Sequence, residues 1–528
     1  MTRIVGIFSK NKERLNENIK SKFIDMLNTF KDRGNYIYIY NGNGFDKYTS
    51  INQININDLN SDWLIGCIKR TSTKFLEENN NSPFILSNGI PYINSYKNSN
   101  YFEIDSLEYV IYTKLNSYEN FTLYKKIIKL INSLDIETQE QTSILIDHKN
   151  LYICKDLIGI HPLYLCKNNN YIAISSEKKA FYINNIEGII EKVLPGSIYK
   201  ISKTGKINKK KFSISKLLKF GSYKPEALID QINTIINKSI KRRIDKIRNL
   251  LLLYSGGIDS SIIRYFLIKS NKSFTSLILG IKGSKDIRLN INLYENDNPI
   301  HKYELDLTSF MKNIEHIFYL IEKNDFLILE LSFLFYEAAK YAKKYKFDGV
   351  FTGQGADELF AGYKKYRRFL QKSYNYYKKK LNYDLNNIGI ENLESCDNIY
   401  SYFGINLFHP YLDLELIKVV RLIEPKYLIL DEKNLGKSIL RLIAKKENLP
   451  ENLIYRKKSA LQYSTRIHHE LDKLLRNIGF NKSLSKELGY GDRYRELFMD
   501  YLSRKIHFPS LLSINQYKYI NNKIKINY

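Results

Sequence analysis

The segment Leu253-Tyr-Ser-Gly-Gly-Ile-Asp-Ser-Ser261 gathers residue types suited to holding phosphate. Gly256 and Gly257 let the backbone approach a ligand closely. The hydroxyls of Ser255, Ser260 and Ser261 join the free N–H groups that open a helix, a combination that binds phosphate oxygens. Asp259 adds a carboxylate able to hold a Mg²⁺ that neutralises a pyrophosphate. A Gly-Gly pair alone marks a turn. Here an apolar strand before it and a Ser-Ser helix start after it give it a chemical reading. A second run, Val350-Phe-Thr-Gly-Gln-Gly-Ala-Asp-Glu-Leu-Phe-Ala-Gly-Tyr363, follows another strand-like segment. Asp357 and Glu358 suit the first turn of a capped helix, but that leaves the glycines at 353, 355 and 362 unexplained.

The surrounding pattern must place these two runs on one edge. Residues 226–248 read as a helix, 250–254 as a buried strand, 260–269 as a helix and 276–281 as a strand. A helix over 333–346 and a strand over 349–352 follow. Strands alternating with helices predict a doubly wound parallel sheet, whose strand carboxyl ends share a crevice. Asp259 and Asp357 are therefore expected at one metal. Segments 414–423, 436–446 and 467–478 read as helices, and 514–528 receives no assignment. The first 200 residues differ: short β-rich runs at 36–40, 142–146, 152–154, 163–165 and 171–174, with helices at 16–30 and 106–115, predict an α+β layered domain. A basic stretch from Lys203 to Lys211 and the break at Lys224-Pro225 suggest a linker. The expected division is thus 1–205, a linker at 206–224, and 225–528.

Composition narrows the class. The 528 residues carry a formal charge of +27, with 44% hydrophobic and 13% aromatic residues, which excludes a mostly disordered chain. The apolar run 326–335 is too short to span a membrane and contains Glu330; the start, Met1 to Lys10, is too briefly apolar for a signal peptide. Cys67, Cys154, Cys166 and Cys396 show no Cys-x-x-Cys pair and no metal-ligand spacing, which fits a reducing, cytoplasmic setting. The positive balance would suit nucleic acid, and Tyr363 to Lys380 interleaves aromatics with cations as a groove would. Lys, Asn, Ile and Tyr are abundant everywhere, however, so a solvated helical face is the default and a nucleic-acid partner is not expected.

Ser-Gly-Gly-x-Asp-Ser-Ser followed by Gly-x-Gly-Ala-Asp-Glu-Leu-Phe-x-Gly-Tyr resembles the PP-loop ATP pyrophosphatase domain of the asparagine synthetase family. Leu277-Ile-Leu-Gly280 resembles its adenine-pocket strand, Glu322 and Asp325 its Glu-x-x-Asp helix, and Pro410-Tyr-Leu-Asp413 its Pro-Phe-Leu-Asp. Lys437-Ser-Ile-Leu-Arg441 resembles Lys-x-x-Leu-Arg, and Leu449-Pro450 with Arg456-Lys-Lys458 resembles Leu-Pro…Arg-x-Lys. Fainter traces, Arg33-Gly34, Asn88-Gly89, Lys155-Asp156 to Tyr164, Ser176-Glu177-Lys-Lys179 and Pro195-Gly196, resemble the family's class II amidotransferase domain, of N-terminal-nucleophile (Ntn) hydrolase fold. The likeness runs over roughly residues 4–465.

It implies a two-domain α/β enzyme that uses ATP and Mg²⁺ to adenylate aspartate, releases pyrophosphate, and amidates with ammonia or another amine. It implies ATP contacts at Tyr254, Ser255, Gly256, Gly257, Asp259, Ser260, Ser261, Leu279, Thr352 and Gly353, metal ligation by Asp259 and Asp357, and catalytic roles for Gln354, Asp357 and Lys458. A homodimer is compatible with it. Three departures stand out. Val5 occupies the position of the glutaminase nucleophile cysteine, and Thr2 lies three positions too early to replace it; Ile90 replaces a Glu after Asn-Gly. The glutaminase fold is thus expected without its chemistry. Gln354 stands where glutamine-using synthetases carry a Glu, and an amide cannot take a proton from an attacking amine. Relatives that close β-lactam rings vary this position too, so a specialised acid is the alternative substrate, with a tRNA-modifying PP-loop enzyme the more distant one.

Overall fold

Period-two alternation along the first strand builds the N-terminal layers. In β1 (Thr2–Ser9), Ile4 and Phe8 point to one face while Val5 and Ile7 point to the other. In β2 (Tyr36–Tyr40), Tyr38 and Tyr40 share the first face, and Ile37 and Ile39 the second. The molecule is described here from a computed structural model covering residues 2–10, 14–41, 45–59, 61–69, 84–89, 115, 117–118, 121–133, 141–147, 149–245, 247–289, 298–429, 435–457 and 459–524, with backbone alone at 45, 84–89 and 141. With β3 (Phe45–Tyr48), β4 (Trp63–Lys69), β8 (Tyr164–Lys167), β9 (Tyr171–Ser175) and β10 (Ile189–Lys192), these strands form a seven-stranded antiparallel sheet, order β10-β8-β9-β1-β4-β2-β3. A five-stranded antiparallel sheet, order β12-β11-β7-β6-β5, comprises β5 (Phe84–Gly89), β6 (Gln141–Ile146), β7 (Asn150–Lys155), β11 (Ser197–Ser202) and β12 (Ile207–Lys211).

The two sheets pack face to face. Ile4, Trp63, Ile65, Leu165 and Ile174 of one meet Ile144, Ile153, Tyr199 and Ile201 of the other. Helix α1 (Glu17–Asn28), whose N-cap Asn16 accepts from the Ile19 N–H at 3.0 Å, covers the outer face of the first sheet with Phe23, Met26 and Leu27. Helix α2 (Leu123–Ser133) covers the second, where Tyr124 stacks on Tyr152. The layering is helix, sheet, sheet, helix, as the α+β expectation had it. The expected helix at 106–115 lies outside the described residues apart from Leu115. The expected linker at 206–224 needs correcting: Ile207–Lys211 is the edge strand of the second sheet, paired with β11, because its alternation is masked by four exposed polar residues.

The later sheet is parallel throughout. Strands β13 (Leu250–Leu253), β14 (Phe274–Gly280), β15 (Ile300–Glu304), β16 (Gly349–Phe351) and β17 (Asn406–Phe408) lie in the order β15-β14-β13-β16-β17. Helices α4 (Ile258–Lys269), α5 (Leu307–Ile321) and α6 (Phe326–Lys344) connect them. Glu322 and Asp325 do not share a helix as expected: Glu322 ends α5 in a left-handed conformation, φ 55°, and Asp325 caps α6 by accepting from the Ile328 N–H. The unassigned tail forms α13 (Ile514–Lys523), started by a Ser513/Gln516 capping box and packed through Tyr517 on Tyr501 of α12 (Tyr494–Lys505).

Packing divides the chain discontinuously. One unit holds residues 1–245, 354–394 and 409–443; the other holds 246–353, 395–408 and 444–528. The first therefore includes α3 (Ile229–Ile244), α7 (Ala356–Leu359), α8 (Lys365–Lys372), α9 (Tyr374–Ile388), α10 (Leu414–Val420) and α11 (Ser438–Lys446) besides the β-layers. Within it, Glu394 accepts from the Tyr164 hydroxyl and pairs with Lys192, both at 2.6 Å, and a Cβ on Gly389 would strike the carbonyls of Ile158 and Gly159. The aromatic–cationic run at 363–380 lies on α8 and α9, where Tyr366 and Tyr377 are fully buried and donate to Asp384 and the Pro425 carbonyl. Those rings are core, not stacking platforms. None of the cysteines is disulfide-bonded, and among the described residues no helix is long and apolar enough to cross a membrane.

Candidate active site

Sheet order places the first chemical run. In the five-stranded sheet the chain builds outward from β13 through β14 to β15, then returns to the other side of β13 with β16. Between β13 and β16 the order reverses, and ligands of open α/β sheets bind outside the strand carboxyl ends at such a point. Ser255–Ser261 leaves β13 there, and Thr352-Gly353 leaves β16 beside it. A Cβ on Gly353 would stand 3.0 Å from the Cβ of Asp259, so a side chain there would crowd the first turn of α4.

The loop after β13 is organised by its own hydroxyls. Gly256 has φ +65°, and Gly257 caps α4. The Ser255 N–H donates to the Ser260 hydroxyl at 3.3 Å, the Gly257 N–H to the Ser255 hydroxyl at 3.3 Å, and the Ser260 hydroxyl to the Gly257 carbonyl at 3.2 Å. This ring of hydrogen bonds fixes the turn between β13 and α4. Tyr254 and Ser261 are 2% and 3% exposed, their hydroxyls meet at 3.3 Å, and the Arg264 guanidinium lies over the Tyr254 ring. Leu279 is half-buried near the carboxyl end of β14, and Thr352 is buried with its N–H on the Phe408 carbonyl.

Lys458 lies outside the described residues, but its flanks are fixed. Arg456 pairs with Asp286, Ser464 donates to Asp286 at 2.6 Å, and the Ile281 N–H donates to the Thr465 carbonyl. Arg456, Ser464 and Thr465 are thus held to the chain leaving β14, next to β13. Burial raises the Asp286 carboxyl above its ordinary range, against the opposing effect of Ser464 and Arg456.

Gln354 and Asp357 belong to the other unit. Gly355, φ +89°, starts the short α7, and Asp357 pairs through Oδ1 with the Lys437 ammonium at 2.8 Å. Tyr363 donates to Glu358 at 2.7 Å, and Asn392 donates to the same oxygen. The Pro410-Tyr-Leu-Asp413 motif is structural: Asp413 is fully buried, receives Arg242 and Arg243 from α3 at 2.6 and 3.0 Å, and caps α10. Among the described residues no cluster of three or more His, Cys, Asp or Glu side chains could hold a metal by itself.

Val5 is an ordinary interior strand residue, fully buried and paired with both Gly66 and Ser175. Thr2-Arg-Ile4 continue its strand along β4, so no amine is available at Val5 to activate a nucleophile, and Thr2 is itself buried in that ladder. Sequence reasoning missed what lies beside it. Glu177 is fully buried with Arg3 at 2.6 Å, Arg33 at 3.1 Å and Lys179. Burial alone would raise its carboxyl, but Arg33, Lys179 and Arg3 outweigh that and hold it at about 2. Only the Ser176-Glu177-Lys-Lys179 run signalled it, without its partners.

The model of the asparagine synthase family matches residues 231–382 and 370–519. A Methanocaldococcus jannaschii protein named as a glutamine-hydrolysing asparagine synthetase is 26% identical over 413 residues, covering 67% of this chain and 72% of its own. One from Acanthamoeba polyphaga mimivirus is 25% identical over 423 residues, 72% and 74% of the two chains. Among solved structures, the glutamine phosphoribosylpyrophosphate amidotransferase of B. subtilis aligns at 14% identity over 56% of this chain and 69% of that one, with a TM-score of 0.33, too low to weigh. With more than half its length matched and its two glycine runs lying inside the match, the chain belongs to the asparagine synthase family.

Proposed function

We propose that the chain is an ATP-dependent carboxylate–amine ligase that converts aspartate to asparagine. The observation that carries this is the meeting of the Ser255–Ser261 loop with Gly353 at the reversal of strand order, where open α/β sheets bind their ligands. In this reading the loop N–H groups and the Ser255 and Ser260 hydroxyls bind phosphate oxygens, while Leu279, Thr352 and Gly353 border the adenosine. The substrate carboxylate attacks the α-phosphorus, its oxygen forming the new bond as the bond to pyrophosphate breaks. Free ammonia then attacks the acyl-adenylate, AMP leaves, and the excess proton passes to solvent. Lys458 would stabilise the leaving pyrophosphate with its positive charge, and Gln354 would orient the amine without accepting its proton.

Mg²⁺ suits the donor set. It binds through one or two carboxylates plus substrate phosphates and needs no protein cage, and Asp357 already carries a cation on Oδ1. Asp259 and Asp357 would hold it, and it would supply charge neutralisation for the departing pyrophosphate. The buried Val5 supports ammonia rather than glutamine as the amine source. The four unbridged, buried cysteines support a cytoplasmic setting.

Gln354 favours a second reading, the same adenylation applied to a specialised acid whose own amine closes a ring. ATP/[³²P]pyrophosphate exchange separates the two. Exchange that requires aspartate and disappears in Asp259→Ala supports asparagine synthesis. Exchange with another acid but not aspartate supports the second reading, and silence with every small acid refutes both.

A further inference from the structure

Asp357 is held by an ammonium from a distant part of the chain. The Lys437 Nζ lies 2.8 Å from its Oδ1, with the lysine 4% and the aspartate 22% exposed. Three features serve this one contact. Lys437 has a left-handed backbone, φ 56°, directly after Gly436 at φ 79°, and Arg441 fixes that turn by donating from Nε to the Gly436 carbonyl at 2.8 Å. A non-glycine residue at φ near +56° costs on the order of 1 kcal/mol and persists where surrounding structure enforces it. Gly362 supplies the remaining room: a Cβ there would overlap both Asp357 Oδ1 and Lys437 Cε. The Gly362 N–H closes the turn on the Asp357 carbonyl at 2.9 Å.

We propose that Lys437 is a positioning residue that stands in for the metal on Asp357 when no metal is bound and yields the carboxylate when metal arrives. This rests on the reading of Asp357 as a metal ligand. A mostly buried carboxylate without a counter-charge is costly, and the lysine removes that cost while keeping the side chain aimed. The same contact competes with a cation for Oδ1, so metal alone binds weakly. A lysine suits the exchange: its charge sits on a flexible stem and makes a single-point contact, which a bidentate arginine would not release as readily.

The test is Mn²⁺ binding to the full chain without nucleotide, followed by electron paramagnetic resonance, which does not depend on turnover. Lys437→Met should tighten Mn²⁺ binding about tenfold or more, as the loss of one close charge pair predicts, and Asp357→Asn should weaken it. Lys437→Gln, which retains a polar side chain in the turn, should tighten it in the same direction and covers the case in which methionine disturbs folding. If Asp357→Asn weakens binding but neither lysine variant tightens it, the stand-in role is overturned while the metal reading survives. If Asp357→Asn leaves binding unchanged, both are overturned.

Discussion

Replacing Glu177 by glutamine should destabilise the β-layered region by roughly 3 kcal/mol at pH 7, and two routes give that figure. Holding the carboxyl at about 2 instead of 4.5 corresponds to roughly 3 kcal/mol of preference for the charged form. Removing one partner from a buried ion pair typically costs about 3–5 kcal/mol, and here Arg3, Arg33 and Lys179 would all lose their shared carboxylate. The assay is built into the sequence. Trp63 is the only tryptophan, lies in β4 against Phe8, and is 4% exposed, so its fluorescence reports unfolding of these layers alone. With a urea m-value of about 2–3 kcal/mol/M, the midpoint should fall by about 1–1.5 M. The sign with pH also follows. Because the folded carboxyl is depressed, its contribution is present above 4.5 and lost as pH falls through about 2, so wild type and Glu177→Gln should converge in acid. A midpoint shift below about 0.3 M at pH 7, or a gap that persists at pH 2, would refute the reasoning.

Asp156, whose carboxyl burial raises to about 6, works in the opposite direction: its stabilising contribution is complete below 3.8 and lost as pH rises through 6. Asp156→Asn should therefore gain stability on wild type between pH 5 and 8, by up to roughly 3 kcal/mol in Trp63-monitored urea melts. Tyr254→Phe removes one buried hydroxyl contact to Ser261 and should cost about 1 kcal/mol in thermal unfolding, with the KM for ATP in pyrophosphate exchange unchanged. Gly355→Ala combines φ +89° with a Cβ lodged against Leu412 and should cost at least about 2 kcal/mol in the same unfolding assay. Val5→Cys should release no ammonia from glutamine in a coupled glutamate dehydrogenase assay, since the new thiol would sit inside the ladder between β4 and β9.

The elements legible in sequence were those whose own residues carry the pattern. Tyr36–Tyr40 alternates cleanly and is a strand over those residues, and Asn16 ahead of an apolar stripe starts α1 where the cap requires. The two glycine runs were legible because a glycine turn after a strand is a local pattern. What escaped depends on distant partners. Asn406–Phe408 is too short for any periodicity and becomes β17 only by lying beside β16. Ile207–Lys211 looks like a linker because its strand character comes from pairing with β11. Arg3 with Glu177 and Asp357 with Lys437 are pairs whose members stand far apart in the chain, so spacing could not reveal them.

The discontinuous packing has a consequence for how the protein is made. The layers that contain Trp63 are complete in sequence by Lys211, yet the unit to which they belong ends only with residues 409–443. At about 5–20 residues per second, a ribosome needs roughly 10–40 s to deliver those last pieces after residue 245 has been added. During that interval the surface awaiting Gly389 and Glu394, around Ile158, Tyr164 and Lys192, stays uncovered. Nascent chains stalled between residues 245 and 354 should accordingly be the species that chaperones retain, and a stop codon placed there should yield an aggregating fragment rather than a free-standing domain.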